Sequence, residues 1–170
     1  GSATQAVSAR PDAQLRARQG ALPDTLLDRL AAHPQVLAAS PLLELSTYAL
    51  VPGGDRVPVR VLGVDALSVG CISPALVARP EGEAGRLDVF APDAVFLNPA
   101  ARQRLAPPTQ TPLAVQRGLG LLNLRAAGSV AAPGAPLLVM DVAAAQQAFG
   151  RLDQITGIDL RLRPGTDVAA

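Results

Sequence analysis

The sequence predicts an α+β fold in which two helices cover a mixed β-sheet and a smaller α+β lobe is inserted. Residues 137–163 have the pattern of a strand, a helix and a second strand. The first half of the chain has a rougher version of this pattern, and an irregular stretch rich in Pro and Gly follows residue 65. We therefore predict a main lobe at residues 3–65 and 131–168, with an inserted second lobe at residues 66–130.

Composition restricts the classes of function. The 170 residues are 49% hydrophobic but only 2% aromatic, carry a net charge of +1 and include no lysine. The scarcity of stacking side chains and of basic clusters argues against nucleic acid as a partner. The single cysteine, Cys71, excludes an intramolecular disulfide, and we interpret it as a small buried apolar residue.

The two ends of the sequence indicate a segment taken from a longer protein. Gly1 and Ser2 resemble a cloning scar, no signal peptide is visible, and the chain stops at Ala170 without a terminal element. No run reaches the roughly 18 apolar residues of a membrane span, so we expect a soluble segment.

The N-terminal stretch is weakly patterned. Residues 3–9 alternate between apolar and polar types and predict a strand. Residues 10–20 are polar and include Pro and Gly, so they predict a loop. We interpret Arg16 and Arg18 in this loop as solvated surface charges.

The first helix is predicted at residues 23–32. Pro23 suits the first helical position because no N–H is needed there. His33 and Pro34 end the helix, since the residue before a proline leaves the helical region. The stripe expected to be buried consists of Leu26, Leu27 and Leu30.

A β-hairpin follows the helix. Its first arm, at residues 36–51, contains Pro41, which predicts an edge strand or a bulge. Residues 52–55 form a strong turn signal, and alternating valines at positions 57–61 predict the second arm. Residues 63–65 end that arm.

The inserted lobe begins irregularly. Residues 66–92 predict a connection with at most one helical turn, mobile around residues 81–85. Residues 94–97 predict a short buried strand, after which Asn98 and Pro99 are typical of a helix start. The remaining elements are a helix at 100–105 and two strands, at 113–116 and 121–127, joined around Gly118-Leu119-Gly120.

The closing unit carries the clearest pattern. Residues 137–140 predict a strand buried on both faces, and Asp141 stands where a helix N-cap belongs. Gly150 ends the helix, and residues 158–163 alternate as a half-exposed strand parallel to the first. The helical stripe predicted to face the sheet consists of Val142, Ala145, Phe149 and Leu152.

No convincing catalytic, cofactor or metal site emerges from the residues. His33 is the only histidine, so a multi-histidine metal site is impossible, and we interpret it as a cap of helix carbonyls. A dyad of His33 and Cys71 is conceivable, but no local pattern favours it. The glycines at 118 and 120, followed by Asn123, lack the third glycine and the helix of a dinucleotide-binding loop.

The charged residues have ordinary interpretations as well. Asp141 is interpreted as a helix cap and Asp159 as a surface residue of the last strand. Arg161 and Arg163 share a face with Asp159, which is either a solvated sheet face or part of a partner-docking surface. Residues 41–51 are rich enough in apolar side chains to meet a partner, although a place in the core is the simpler interpretation.

The order of these segments resembles the periplasmic core domain of ABC transporter permeases of the MacB, FtsX and LolC type. Residues 33–43 resemble its early helix-to-strand junction, and residues 59–65, VRVLGVD, its strand ending in a Gly-Val-Asp turn. Residues 94–105, AVFLNPAARQRL, resemble its short strand and helix. Residues 137–167 resemble its closing unit, with Met-Asp, an Ala- and Gln-rich helix and a strand ending in Arg-Pro-Gly-Thr-Asp.

The resemblance implies a main lobe of porter type, built from split βαβ units, and an inserted second lobe. It implies a non-catalytic domain outside the inner membrane, in the periplasm, between two transmembrane helices. The implied partners are a cytoplasmic ATPase subunit or domain, a second permease protomer, and a periplasmic adaptor or lipoprotein. The function implied is mechanotransmission, in which ATP-driven motion in the cytoplasm acts on a periplasmic substrate or partner. We expect the hinge between the lobes at residues 66–92 and 131–136.

Two other functions remain open from the residues alone. The chain is alternatively a free-standing periplasmic binding or chaperone-like module, which needs its own signal peptide or lipid anchor. A third reading is a hydrolase that depends on Cys71, in which case replacing that residue with Ser abolishes activity.

Overall fold

The computed structural model describes residues 10–82, 86–107 and 112–166, so the strand predicted at residues 3–9 lies outside the described part. The described strands are β1 (Ala13–Arg16), β2 (Leu22–Pro23), β3 (Val36–Leu50), β4 (Arg56–Val64), β5 (Arg79–Pro80), β6 (Ala94–Leu97), β7 (Pro112–Arg117), β8 (Gly120–Ser129), β9 (Leu137–Asp141), β10 (Gln154–Ile155) and β11 (Gly157–Leu162). The described α-helices are α1 (Thr25–Ala31), α2 (Val69–Ile72), α3 (Pro99–Leu105) and α4 (Val142–Ala148), with 3-10 turns at Pro74–Leu76 and Arg86–Phe90.

Nine of the strands in the described ranges form one mixed sheet, which confirms the predicted α+β class. The order is β1-β11-β3-β4-β9-β6-β8-β5, and β7 pairs with both β3 and β8. The pairs β4–β9 and β6–β8 are parallel, whereas the other neighbours are antiparallel. It follows that β9 and β11, at the two ends of α4, run parallel with β3 and β4 between them. Strands β2 and β10 form a separate small sheet.

Strands β3, β4, β9, β6, β8 and β7 close into a ring. The closing contact is short, a single pair between Ala49 of β3 and Val115 of β7, supported by the Thr47 hydroxyl, which donates to the carbonyl of Gln116 at 2.6 Å. The apolar runs predicted as strands supply a core with almost no solvent contact. It includes Val61, Val95, Val115, Leu138 and Met140, together with residues of α3 and α4.

Strand β3 is the longest element. Its fifteen residues, at about 3.3 Å each, extend for roughly 50 Å. It lies beside β11 up to Leu42 and beside β4 from Leu42 onward. Pro41 therefore has a strand neighbour on one side only, which fits the predicted edge position, while the pairing around it shows no bulge.

Two helical predictions were wrong in detail. Pro23 belongs to β2, and α1 begins at Thr25 after Asp24. The leucines of α1, which were predicted to be buried, are only half-buried, and no residue of this helix is fully buried. Leu152 is 66% exposed, since Gly150 takes a positive φ and turns the chain away from the helical stripe.

Helix α4 confirms the clearest sequence prediction. The Asp141 carboxylate accepts from the Ala144 N–H at 3.0 Å, as an N-cap does. The helix lies directly on β4 at Gly63, where an added Cβ would come within 2.9 Å of the Ala145 Cβ. The absence of a side chain at Gly63 therefore fixes how closely helix and sheet approach.

The loop predicted at residues 10–20 was also wrong, because it contains β1. Most residues of β1 are exposed, so its sequence lacks the apolar alternation that reveals a strand. Backbone pairing with β11 holds it at the edge of the sheet.

Candidate coupling site at the joined chain ends

The first and last strands of the described fold lie side by side. Strand β1 pairs antiparallel with β11, so that Ala13 lies opposite Leu160, and the Asp12 N–H donates to the Leu160 carbonyl at 2.9 Å. The chain therefore enters β1 where it leaves β11. We call the contacts of Asp12, Arg161 and Arg163 at this point the terminal clasp.

Asp12 joins the two ends directly. One carboxylate oxygen accepts from the Leu162 N–H at 2.8 Å, and the other forms an ion pair with Arg161 at 3.0 Å. A carboxylate bound by a cation and a backbone donor is held more firmly than one in a neutral hydrogen bond.

Arg161 links β11 to helix α2. Its guanidinium donates to the carbonyls of Ile72 at 3.1 Å and Cys71 at 3.4 Å, and its side chain is 12% exposed. These carbonyls lie at the C-terminal end of α2, where no partner within the helix is available. A cation at this position satisfies them and complements the helix dipole.

Arg163 links β11 to the connection between α1 and β3. Its backbone N–H donates to the Gln35 carbonyl at 2.9 Å, and its side-chain Nε donates to the Pro34 carbonyl at 2.8 Å. Thr166 in turn binds the Arg163 carbonyl through its hydroxyl at 2.6 Å. These bonds attach the end of β11 to the residues just before β3.

Asp159 is buried, so its prediction as a surface residue was wrong. It is 4% exposed, and Arg16 Nη2 lies 2.6 Å from Asp159 Oδ1 as an ion pair rather than an aligned hydrogen bond. Arg16, predicted to be solvated, lies across Gly157, where an added Cβ would come 2.7 Å from its Nη1. Arg16 belongs to the edge strand β1, which pairs with β11 and whose presence was not visible in the sequence.

The other candidate residues have structural places. His33 Nδ1 accepts from the Gln35 N–H at 3.1 Å, so it orders the turn after α1 instead of capping carbonyls. Cys71 is exposed, contrary to the prediction, because Ile72 occupies the inward position of the single turn of α2. Gly118 lies in the β7–β8 turn with a φ of 57°, and a strand follows it. Within the described residues, no three His, Cys, Asp or Glu side chains gather as metal ligands do.

Sequence reasoning identified Asn98 as a cap but missed its second role. Its Oδ1 accepts from the Ala101 N–H and also from the Leu137 N–H, both at 2.9 Å, and its Nδ2 donates to the Ala135 carbonyl at 2.9 Å. The side chain is completely buried. It ties β6 and α3 to the start of β9, a contact that only the folded chain reveals.

Arg125 is a further residue that the sequence did not single out. It binds Asp88 at 3.0 Å and Asp93 at 3.4 Å, and so fixes the 3-10 turn Arg86–Phe90 to β8. The hydrogen bond that its guanidinium donates to the Asp88 carboxylate raises the pKa of Arg125.

Comparison with solved structures identifies the fold. The extracellular domain of the noncanonic ABC-type transporter YknZ from Gram-positive bacteria matches with a TM-score of 0.68 at 8% identity, over 89% of this chain and 83% of that chain. The periplasmic region of MacB from Actinobacillus actinomycetemcomitans also matches with a TM-score of 0.68, at 10% identity, over 98% of this chain and 82% of that chain. The chain has the fold of a MacB-type periplasmic domain.

A third neighbour agrees. A domain of a permease protein from Porphyromonas gingivalis matches with a TM-score of 0.52 at 11% identity, over 91% of this chain and 71% of that chain. No protein-family model matches the sequence, and no curated protein matches it significantly. The resemblance found in the sequence is therefore confirmed at the level of the fold. None of the helices in the described ranges has the length and hydropathy to cross a membrane.

Proposed function

We propose that the chain is a non-catalytic, extracytoplasmic domain of an ABC transporter permease that couples cytoplasmic ATP-driven motion to a periplasmic substrate or partner. The observation that carries the proposal is the adjacency of β1 and β11. Two transmembrane helices that continue from these strands emerge next to each other, so both act on the same edge of the sheet. Ends at opposite sides of the domain would contradict the proposal.

The terminal clasp gives the force a path into the fold. Asp12 and Arg161 couple the two ends to each other, Arg161 reaches α2, and Arg163 reaches the start of β3. From there β3 continues as one uninterrupted strand into the ring. A continuous strand whose far half lies in a packed ring transmits displacement without bending at an intermediate loop.

The predicted division into a porter-like main lobe of split βαβ units and an inserted lobe belongs to this proposal. Two features of the sheet support it. Strands β1 and β3 run parallel to each other, with β11 between them. Strands β9 and β11 also run parallel to each other, with β3 and β4 between them. Strand pairing joins the insert to the main lobe along two short seams, besides the side-chain bonds of Arg161 and Asn98. One consists of Phe96–Val139 and Leu97–Leu138, and the other of Ala49–Val115.

The shared core counts against a free hinge between the lobes. Val61 and Leu138 of the main lobe pack in one apolar cluster with Val95 and Leu124 of the insert. Opening at residues 66–92 and 131–136 would expose this cluster to water. The free-energy cost would be about 25 cal/mol for each Å² of apolar surface exposed. The domain is therefore expected to move as one body.

The partners proposed are a cytoplasmic ATPase subunit or domain, reached through the flanking helices, a second permease protomer, and a periplasmic adaptor or lipoprotein. We infer all three partners from the transport role that the sequence resemblance implies. The proposed location is the periplasmic side of the inner membrane. The YknZ and MacB neighbours, which are extracellular or periplasmic domains, support this location.

The test uses the full-length protein in membranes with its ATPase. In a Cys71→Ser background, Asp55→Cys in the exposed β3–β4 turn carries a spin label, and label-to-label distances are measured with ADP and with ATP. We expect the distance distribution to change with ATP. Asp12→Ala, which breaks the terminal clasp, should reduce that change while ATP hydrolysis continues.

Glu44→Ala is the matched control, since this carboxylate lies in the exposed Glu44–Arg60 ion pair on the middle of β3. It should leave the ATP-dependent change intact. An unchanged distance in the parent protein during active ATP hydrolysis would refute the proposed coupling.

A further inference from the structure

A cavity lies outside the ring, beneath the irregular segment that follows β4. Its volume is about 120 Å³. Phe96 and Val139, on the outer face of the ring, form one wall, and Val69, Leu76 and Val89 form the opposite wall. Phe96 and Val139 are each 1% exposed, so this wall is set by packed strands.

The size and lining of this cavity favour an apolar group of about six carbon atoms. Apolar cavities of roughly 150 Å³ stay dry and accept benzene. Val77 is 40% exposed at the cavity and marks its opening to solvent. The apolar walls therefore offer a binding place that a ring or branched chain fills better than water does.

Asp141 is the charged residue among those that line the cavity. One of its oxygens accepts from the Ala144 N–H, and the other has no hydrogen-bond partner among the described residues. This oxygen belongs to the side chain that caps α4 and is therefore fixed in place beside the cavity. An anion beside an apolar cavity complements a ligand with a cationic group next to an apolar body.

The cavity also has the position typical of ligand sites in sheets with parallel strands. Val64 and Asp141 are paired at the carboxyl ends of the parallel neighbours β4 and β9. Crevices outside the carboxyl ends of such strands are preferred binding places.

We propose that this cavity binds a small organic ammonium ion whose apolar body is a ring or branched group of about six carbons. The body occupies the space between Phe96 and Leu76, and the ammonium group donates to the unpartnered oxygen of Asp141. All residues that line the cavity belong to the 170-residue chain. Binding can therefore be tested on this chain alone, whether or not the proposed coupling function holds.

The experiment is an NMR titration of the 170-residue chain with benzylammonium and, separately, with benzyl alcohol. Benzylammonium should shift the resonances of Phe96, Val139 and Met140 saturably, with a Kd of roughly 1 mM or below. It should bind about three- to tenfold more tightly than benzyl alcohol, because a partly exposed ion pair contributes a modest gain.

Two variants separate charge from shape. Asp141→Asn keeps an N-cap and should reduce benzylammonium affinity to that of benzyl alcohol, leaving benzyl alcohol unchanged. Ala78→Leu adds volume to the lining and should weaken both ligands. Equal affinities of the two ligands for the parent chain, or shifts that map elsewhere on the fold, would overturn the proposal.

Discussion

The ring and the terminal clasp are held together by different forces. In the ring, Val61, Val115 and Leu138 are fully buried, and packing between β-strands and two helices excludes water. The clasp consists of ion pairs and hydrogen bonds, and the neighbouring elements are poorly covered, since α1 has no buried residue and Leu37 of β3 is 58% exposed. Apolar packing resists deformation, whereas polar contacts exchange with water at little net cost. The comparison predicts that the ring supplies most of the free energy of folding and that the contacts near the chain termini supply little of it.

The largest difference should come from deleting apolar volume. Leu138→Ala removes a fully buried side chain from the ring and should lower the free energy of unfolding by about 2–5 kcal/mol. Leu37→Ala at the clasp end should change it by about 0.5 kcal/mol or less. Urea denaturation followed by circular dichroism measures both, and comparable losses in the two variants would erase the contrast.

The next effect concerns a buried polar side chain of the ring. Asn98→Ala leaves the Leu137 N–H and the Ala135 carbonyl without this partner and should cost about 2–3 kcal/mol. The matched control is Asp141→Ala, a part-buried cap of α4, which should cost about 1 kcal/mol. Thermal unfolding ranks the two, and the hypothesis that Asn98 joins the insert to β9 fails if the control is the more destabilising variant.

A smaller, asymmetric effect is expected for the pair of Arg16 and Asp159. The side chains are 40% and 6% exposed, respectively. Arg16→Met leaves a buried carboxylate without its cation and should cost about 1–3 kcal/mol. Asp159→Asn leaves an arginine that reaches water and should cost about 0.5 kcal/mol. Urea denaturation should therefore give a lower unfolding midpoint for Arg16→Met than for Asp159→Asn. The reverse order would mean that Asp159 is solvated.

The smallest effects should come from exposed carboxylates. Asp12→Ala removes the Arg161 pair and an acceptor for the Leu162 N–H, so about 1 kcal/mol is expected. Glu44→Ala breaks a pair whose side chains are 39% and 46% exposed and should cost about 0.5 kcal/mol or less. Amide hydrogen exchange at Leu162 should accelerate in the first variant only. Equal exchange in both would show that Asp12 does not hold β11.

Much of the ring was predictable from local patterns. The apolar runs of β6 and β9, the valines of β4 and the turn after β3 all lie where the sequence placed them. Asn98 and Asp141 cap their helices as expected, because a cap is a contact between residues three positions apart. The site could not be predicted in the same way, since β1 is an exposed edge strand whose side chains carry no periodicity.

The amino-acid sequence by itself determined the strands of the ring, the starts of α3 and α4, and the hairpins. These depend on side-chain periodicity and on short-range hydrogen bonds, which neighbouring residues decide. Only the tertiary structure decided the ring closure, the burial of Asp159 and the terminal clasp. Asp12 and Arg161 are 149 positions apart, so no local pattern links them until β1 and β11 pair. The physical reason is that burial and ion pairing are set by which distant strands become neighbours.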